Sequence, residues 1–239
     1  MSLENKHVVI IGGSSGIGLA TAKMAVAEGA KVIIAGRTES KLTAAREEIG
    51  NNVDTYTVNL TEEVSIKDLF ERVGSFDHLV ITGPAPQFGH FLELNIEQVH
   101  QEFEGKFWGQ YRAAWYGAKS ISKEGSIVFM SGAYSARPVP GASSLAAVQA
   151  GIEGLARGLA IDLSPVRVNV ISPGLTDTPI IQSAFPDDTR LKLYEEQANM
   201  LPAKRIGTPE DIAQSILYLL SNRYVTGSTL FPDGGYTLR

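Results

Sequence analysis

The stretch Ile10–Gly18, IIGGSSGIG, constrains this 239-residue chain more than any other. It continues the wholly apolar run Val8–Ile11 and opens Gly16–Glu28, where Ile17, Ala20, Met24 and Ala27 share one helical face and Gly29 closes the segment. A run apolar at every position reads as a strand covered on both faces, the usual situation in a parallel sheet. Gly12, Gly16 and Gly18 let the chain turn tightly and let an anion approach the backbone. The free amides at the helix start, around Ile17, then face that anion, with the Ser14 and Ser15 hydroxyls as further donors. Taken alone, the glycines fit an ordinary strand–helix turn. The strand before and the amphipathic helix after favour a dinucleotide pyrophosphate.

The same alternation continues along the chain. Val32–Ala35, Val53–Val58, His78–Thr82, Ser126–Met130, Arg167–Ile171 and the short Ser228–Phe231 read as strands. Glu39–Ile49, a segment starting at Thr61–Glu63, Ile96–Ile121 and Ser143–Leu163 read as helices. Thr208-Pro209-Glu210-Asp211 opens another, with a capping threonine, a first-turn proline and acids near the positive helix end. The expected fold is α/β: a single doubly wound Rossmann-type domain over residues 1–239, its parallel sheet of about seven strands covered by helices on both faces.

Composition removes several function classes. A net charge of −5 argues against general nucleic-acid binding. The absence of cysteine excludes disulfides, thiolate nucleophiles and thiolate metal sites, and fits a cytoplasmic location. His7, His78, His90 and His100 show no metal-ligand spacing, so no metal is expected. No apolar run approaches the ~20 residues of a membrane span, and the N-terminus reads as a first strand rather than a signal peptide.

The end of the second strand selects the cofactor. An acid there would hold the ribose 2′-hydroxyl of NAD. This chain has Gly36, then Arg37 and Thr38. No carboxylate repels a 2′-phosphate, and Arg37 can clamp one with paired charge-assisted bonds. A surface arginine at a strand end is the plainer alternative; NADP(H) is favoured over NAD(H).

These residues resemble the classical short-chain dehydrogenase/reductase family over nearly the whole chain. The family glycine motif falls on Gly12, Gly16 and Gly18. VRVNVISPG (Val166–Gly174), TPEDIAQSILYLLSN and VTGSTLFPDGG resemble its sixth strand, C-terminal helix and closing strand. The resemblance implies that Asn59 and Leu60 flank the adenine. It implies that Thr82, Gly83 and Pro84 stand where the family has Asn-Asn-Ala-Gly. Pro173, Gly174, Leu175, Thr176 and Thr178 would line the nicotinamide and its phosphate.

The resemblance also exposes a gap. Family chemistry uses a tyrosine as proton donor and, four residues on, a lysine that tunes it and holds the nicotinamide ribose. A serine orients the carbonyl, and an asparagine keeps a water relay. Here the tyrosine position reads Leu145 and the lysine position Gln149, which leaves Gln149 as a cofactor contact. The serine position reads Gly132, beside Ser131, and the asparagine falls around Lys106. No register slip repairs this: there is no lysine between Glu124 and Leu191, and no tyrosine between Ser135 and Leu193. Leucine has no proton to give, and glutamine carries no charge. Ser131, Tyr134 and Lys106 are the candidate substitutes. Each also has a bland reading: a strand-end hydroxyl, a loop aromatic and a solvated helix charge.

Ala142, Ser143, Ser144, Ala146, Ala147, Ala150, Gly151, Gly154 and Gly158 give the helix after this gap a small-sided surface. Glycine inside a helix costs ~1 kcal/mol against alanine, which suggests close packing on another helix. In the family this helix builds the subunit interface, so a homodimer or homotetramer is expected. Residues 175–206 match the family's variable lid, where Ile180, Ile181, Phe185 and Met200 could wall an apolar pocket or serve as core. A purely structural subunit that binds no nucleotide is disfavoured by the glycine turn and Arg37, and two readings lead. One is an NADP(H)-binding protein that is noncatalytic or feebly catalytic, a cofactor-ratio sensor or an assembly subunit. The other is an atypical NADPH-dependent oxidoreductase for a small carbonyl or alcohol substrate.

Overall fold

The computed structural model describes residues 3–84 and 87–239. Its strands are β1 (His7–Ile11), β2 (Lys31–Gly36), β3 (Val53–Thr57), β4 (Phe76–Ile81), β5 (Ile121–Met130), β6 (Arg167–Ile171) and β7 (Thr229–Leu230). Its helices are α1 (Gly16–Ala27), α2 (Glu39–Ile49), α3 (Glu63–Val73), α4 (Ile96–Glu102), α5 (Gly109–Gly117), α6 (Ser143–Asp162), α7 (Pro179–Ala184), α8 (Asp187–Met200) and α9 (Pro209–Ser221). The strands form one seven-stranded sheet in the order β3-β2-β1-β4-β5-β6-β7, and every neighbouring pair is parallel. The chain winds outward from β1 to β3, then returns to lay β4 against the other side of β1. That reversal opens a crevice at the carboxyl ends of β1 and β4.

Strand alternation divides the core. Val8 and Ile10 pack with α1, α2 and α9 on one face; Val9 and Ile11 pack with α3, α5 and α6 on the other. The Thr208 side chain accepts from the Asp211 amide (3.3 Å), and the Asp211 carboxylate accepts from the Thr208 amide (2.8 Å), which starts α9 where the sequence predicts. His78 is buried on β4 with Nδ1 2.9 Å from Ser126 Oγ on β5; burial pulls it down to about 4, so it is neutral near pH 7. Among the described residues no three His, Asp or Glu gather as a metal site, and no helix is long and apolar enough to cross a membrane.

The region expected as one helix over 96–121 differs. A π-helical turn, Phe103–Trp108, separates α4 from α5, and residues 121–125 belong to β5. The turn has a visible cause. The Gln110 side chain inserts between helix and sheet, donating to the carbonyls of Lys106 and Met130 and accepting from the Met130 amide, each at 3.0 Å. β5 starts early because Ile121 pairs with Phe76, ahead of a register shift before His78. Within the expected lid over 175–206, Pro179–Ala184 forms α7 and Asp187–Met200 forms α8.

Candidate cofactor and active site

The β1–α1 turn has the geometry its glycines require. Gly12 has φ +86°, and a Cβ on it would lie 1.9 Å from Thr82 Oγ1. A Cβ on Gly18 would lie 2.1 Å from the Gly12 carbonyl oxygen, so α1 sits directly on the turn. The first bond of α1 runs from Leu19 N to Ser15 O (3.2 Å), which leaves the amides of Gly16, Ile17 and Gly18 without intrahelical partners. Ser15 caps α1 and Thr38 caps α2 by position, yet neither side chain makes a cap bond, so both hydroxyls remain available. Ser14 Oγ lies 3.5 Å from where Gly36 would carry a Cβ, which brings the turn and the end of β2 together. Arg37 is exposed and makes no hydrogen bond or ion pair among the described residues.

The other expected cofactor residues stand at neighbouring strand ends. Thr82 donates to the Ile11 carbonyl (3.0 Å) and ties β4 to β1. Gly83 and Pro84 follow it against the π-turn, where a Cβ on Gly83 would lie 3.5 Å from Lys106 Cγ. After β6, Ala133 N donates to the Pro173 carbonyl (3.0 Å), and Gly174 fits against the Asp233 backbone. Leu175 accepts from Gly207 N (3.0 Å), and Thr176 turns its hydroxyl onto the Gly174 carbonyl (3.1 Å). A Cβ on Gly16 would lie 3.5 Å from Thr178, which brings the β6 end over the start of α1. The Asn59 side chain is engaged within its own segment. Its Oδ1 accepts from the Thr61 amide (3.2 Å) and hydroxyl (3.0 Å), and its Nδ2 donates to Glu62 (2.7 Å). Its side chain thus organises the start of α3. Leu60 packs under Gly109, 2.9 Å from where a Cβ would stand.

The centre of the crevice is unusual. Leu145 is fully buried on α6. One turn on, Gln149 is buried over Gly132; a Cβ on Gly132 would lie 2.4 Å from Gln149 Nε2, so only glycine leaves that amide its place. Gln149 Oε1 is buried without a hydrogen-bond partner among the described residues. Such an orphaned acceptor is costly unless a ligand donor meets it. Together with the free amides, the two hydroxyls and Arg37, it makes a donor and acceptor set that fits a dinucleotide.

Lys106 departs from its bland reading. It lies in the π-turn, 5 % exposed, and its amine makes no hydrogen bond among the described residues. Burial pulls its amine down to about 8, partly countered by Glu102 one turn before. Glu102 is buried as well, its carboxyl pushed up by burial while it accepts from Gln87 N (3.3 Å). Ser131 is engaged: its hydroxyl lies 3.1 Å from the Gln149 carbonyl and 3.0 Å from Glu153 Oε1. Tyr134 sits in the 3-10 turn Ala133–Ser135, its hydroxyl free among the described residues and pushed up by burial. Glu153 was not anticipated. It gathers Ser131, Ser135 (2.5 Å) and, more distantly, Ser172 (3.5 Å), which locks the turn after β5 to α6 and β6. Only its position one helical turn past Gln149 signals this in the sequence.

The model of the family described as enoyl-(acyl carrier protein) reductase matches residues 12–237. The chain is a short-chain dehydrogenase/reductase. Among the relatives of this dehydrogenase/reductase is the short-chain dehydrogenase/reductase malC of Malbranchea aurantiaca, 31% identical over 260 residues that cover 99% of this chain and 96% of that one. A small-chain dehydrogenase solved in complex with NADPH is 32% identical, with a TM-score of 0.86 over 99% of this chain and all of that one. An NADPH-bound short chain oxidoreductase from Pseudomonas aeruginosa PAO1, described as containing an atypical catalytic center, has a TM-score of 0.91 at 25% identity, covering 97% of this chain and 96% of that one. The family uses nicotinamide cofactors, and these two solved relatives hold NADPH.

Proposed function

We propose that this chain binds NADP(H) as a short-chain dehydrogenase/reductase without the standard Asn-Ser-Tyr-Lys chemistry, and that it turns substrates over feebly or not at all. One contrast carries the reading. Leu145 and the orphaned Gln149 fill the places of proton donor and lysine, while the phosphate turn and Arg37 keep their free donors. Residues 1–239 act as one cofactor-binding domain with 175–206 as its lid, in the cytoplasm. NADP(H) is preferred because Arg37 stands free where NAD binding would want an acid, and two of the similar solved structures hold NADPH. Such a protein would serve as a cofactor-ratio sensor or an assembly subunit. The α6 surface supports a homodimer or homotetramer: nothing lies within 4 Å of a Cβ on Gly158, and Trp108 in the π-turn and Trp115 on α5 are exposed. The test is titration with NADPH and NADH, following nicotinamide fluorescence. Tight NADPH and weak NADH binding is expected, with Arg37→Gln weakening NADPH by roughly tenfold or more. Failure to bind either overturns the reading.

Lys106 favours the second reading, an NADPH-dependent reductase of small carbonyl compounds. A buried amine in the crevice, countered in part by the Glu102 carboxyl, is costly to the fold, and groups of that kind concentrate at working sites. Bound NADPH would supply the hydride. Lys106 would hold the proton for the carbonyl oxygen at Nζ, a role for which Ser131 is engaged elsewhere and Tyr134, pushed up by burial, is the weaker acid. Turnover would then fall as pH rises through about 8, and Lys106→Met would abolish it while NADPH still binds. If Lys106→Met, Tyr134→Phe and Ser131→Ala all leave turnover intact, these roles are wrong.

A further inference from the structure

Phe88 follows β4, Tyr134 follows β5, and Tyr236 lies in the 3-10 turn Tyr236–Leu238. Their rings stand in a row, with centroids 5.6 Å apart for Phe88–Tyr134 and 5.9 Å for Tyr134–Tyr236, each pair at 89°. Backbone bonds hold the row in place. Gly89 N donates to the Gly141 carbonyl (2.9 Å), and Gly141 has φ +81°. Arg137 Nη1 donates to the Tyr236 carbonyl (3.0 Å), and the Tyr236 hydroxyl donates back to the Arg137 carbonyl (3.1 Å). These loops therefore form a built wall beside the Gly132–Gln149 contact. The wall is open to a ligand: Phe88 is 53% exposed, and the Tyr134 hydroxyl meets no described partner.

One end of the wall is cationic. The Arg137 and Arg239 guanidinium carbons lie 5.3 Å and 5.2 Å from the Tyr236 ring centroid. Among the described residues Arg137 uses only Nη1 for hydrogen bonding, so its other edge can take a carboxylate in bidentate fashion. Two acids close to these segments are engaged. Glu153 is held by serines, and Asp233 accepts from the amides of Gly235 (2.8 Å) and Thr237 (2.9 Å).

We propose that this row is the ligand-recognition wall of the site, and that it takes an aromatic carbonyl compound carrying a carboxylate. The flat ring lies against Phe88 and Tyr134, where aromatic pairs gain beyond their buried area. The carboxylate meets the open edge of Arg137, and the Tyr134 hydroxyl donates to a ligand oxygen. The inference rests on the crevice being an NADP(H) site with room for a second ligand.

The experiment is calorimetry on the full chain saturated with NADP+, using benzoylformate, its neutral counterpart acetophenone and its saturated-ring counterpart cyclohexylglyoxylate. Benzoylformate is expected to bind roughly tenfold tighter than either. Arg137→Met should erase its advantage over acetophenone. Phe88→Leu, at an exposed side chain that bears no fold, should erase its advantage over cyclohexylglyoxylate. NADP+ affinity should hold in both variants. NADP+ binding with no preference among the three, with no heat from any, or with preferences that survive both variants overturns the inference alone. A chain that fails to bind NADP+ overturns the proposed function and this inference together.

Discussion

Lys106 is the residue at which burial and charge conflict most openly. Its folded-state value, about 8, lies below its ordinary 10.5. Between those pH values the unfolded chain binds a proton that the folded chain has released, so stability rises with pH across that window. Below about 8 both states are protonated, and the folded state carries the full burden of a buried ammonium. Lys106→Met should therefore stabilise the protein at pH 7 by up to about 3 kcal/mol and flatten its pH dependence between 8 and 10.5 relative to the parent. Denaturant unfolding of both proteins at several pH values measures this; a less stable variant at pH 7 would show the amine to be well solvated. At Gly132 the constraint is steric. Gly132→Ser should push the Gln149 amide aside and, on the proposed function, weaken NADPH binding in a fluorescence titration. The identities at positions 132, 145 and 149 were legible in the sequence. The burial of Lys106 was not, because a charge in a helical stretch reads as solvated until its neighbours are known.

The π-turn between α4 and α5 is the element that positions Lys106, and it was invisible in the sequence. Hydrophobic periodicity ran on across 96–121, and a single inserted residue is below the resolution of such a pattern. What decides it is the Gln110 side chain gripping both carbonyl and amide of Met130, a contact across residues distant in the chain. Gly109 follows from the same close fit. Intrinsic propensity favours alanine in a helix by ~1 kcal/mol, yet a Cβ there would lie 2.9 Å from Leu60 Cβ and 3.2 Å from its carbonyl. Gly109→Ala should accordingly destabilise by about 1–3 kcal/mol in thermal unfolding, the reverse of the propensity expectation. The start of α9 shows the opposite case. Thr208, Pro209 and Asp211 carry their signal within four consecutive residues, and the box forms as read. Thr208→Ala should cost about 1 kcal/mol, because it leaves the Asp211 amide without its acceptor.

At the scale of the molecule, cofactor binding and assembly should both register as stability. NADPH at a hundredfold excess over its Kd should add about 2.7 kcal/mol, seen as a rise in Tm that an equal concentration of NADH reproduces only in part. The open face of α6 gives a paired test. On a free helix surface Gly158→Ala should stabilise by roughly 0.5–1 kcal/mol. In an interface built for close approach, it should loosen the assembly, and Ala150→Arg should dissociate it in light scattering. A parent that scatters as a monomer would refute the oligomer.

The sequence by itself determined the sheet, its winding and the phosphate turn. Those depend on local signals: apolar runs covered on both faces, glycines where backbone meets backbone, and caps within one helical turn. It also carried the identities of Gly132, Leu145 and Gln149, since identity needs no coordinates. Only the tertiary structure decided what surrounds them. The orphaned Gln149 carbonyl, the submerged Lys106 amine, the serines gathered by Glu153 and the ring row from Phe88 to Tyr236 each join segments far apart in the chain. A side chain's partners and its exposure to water are properties of the packed whole, and the energies that tune a site follow from them.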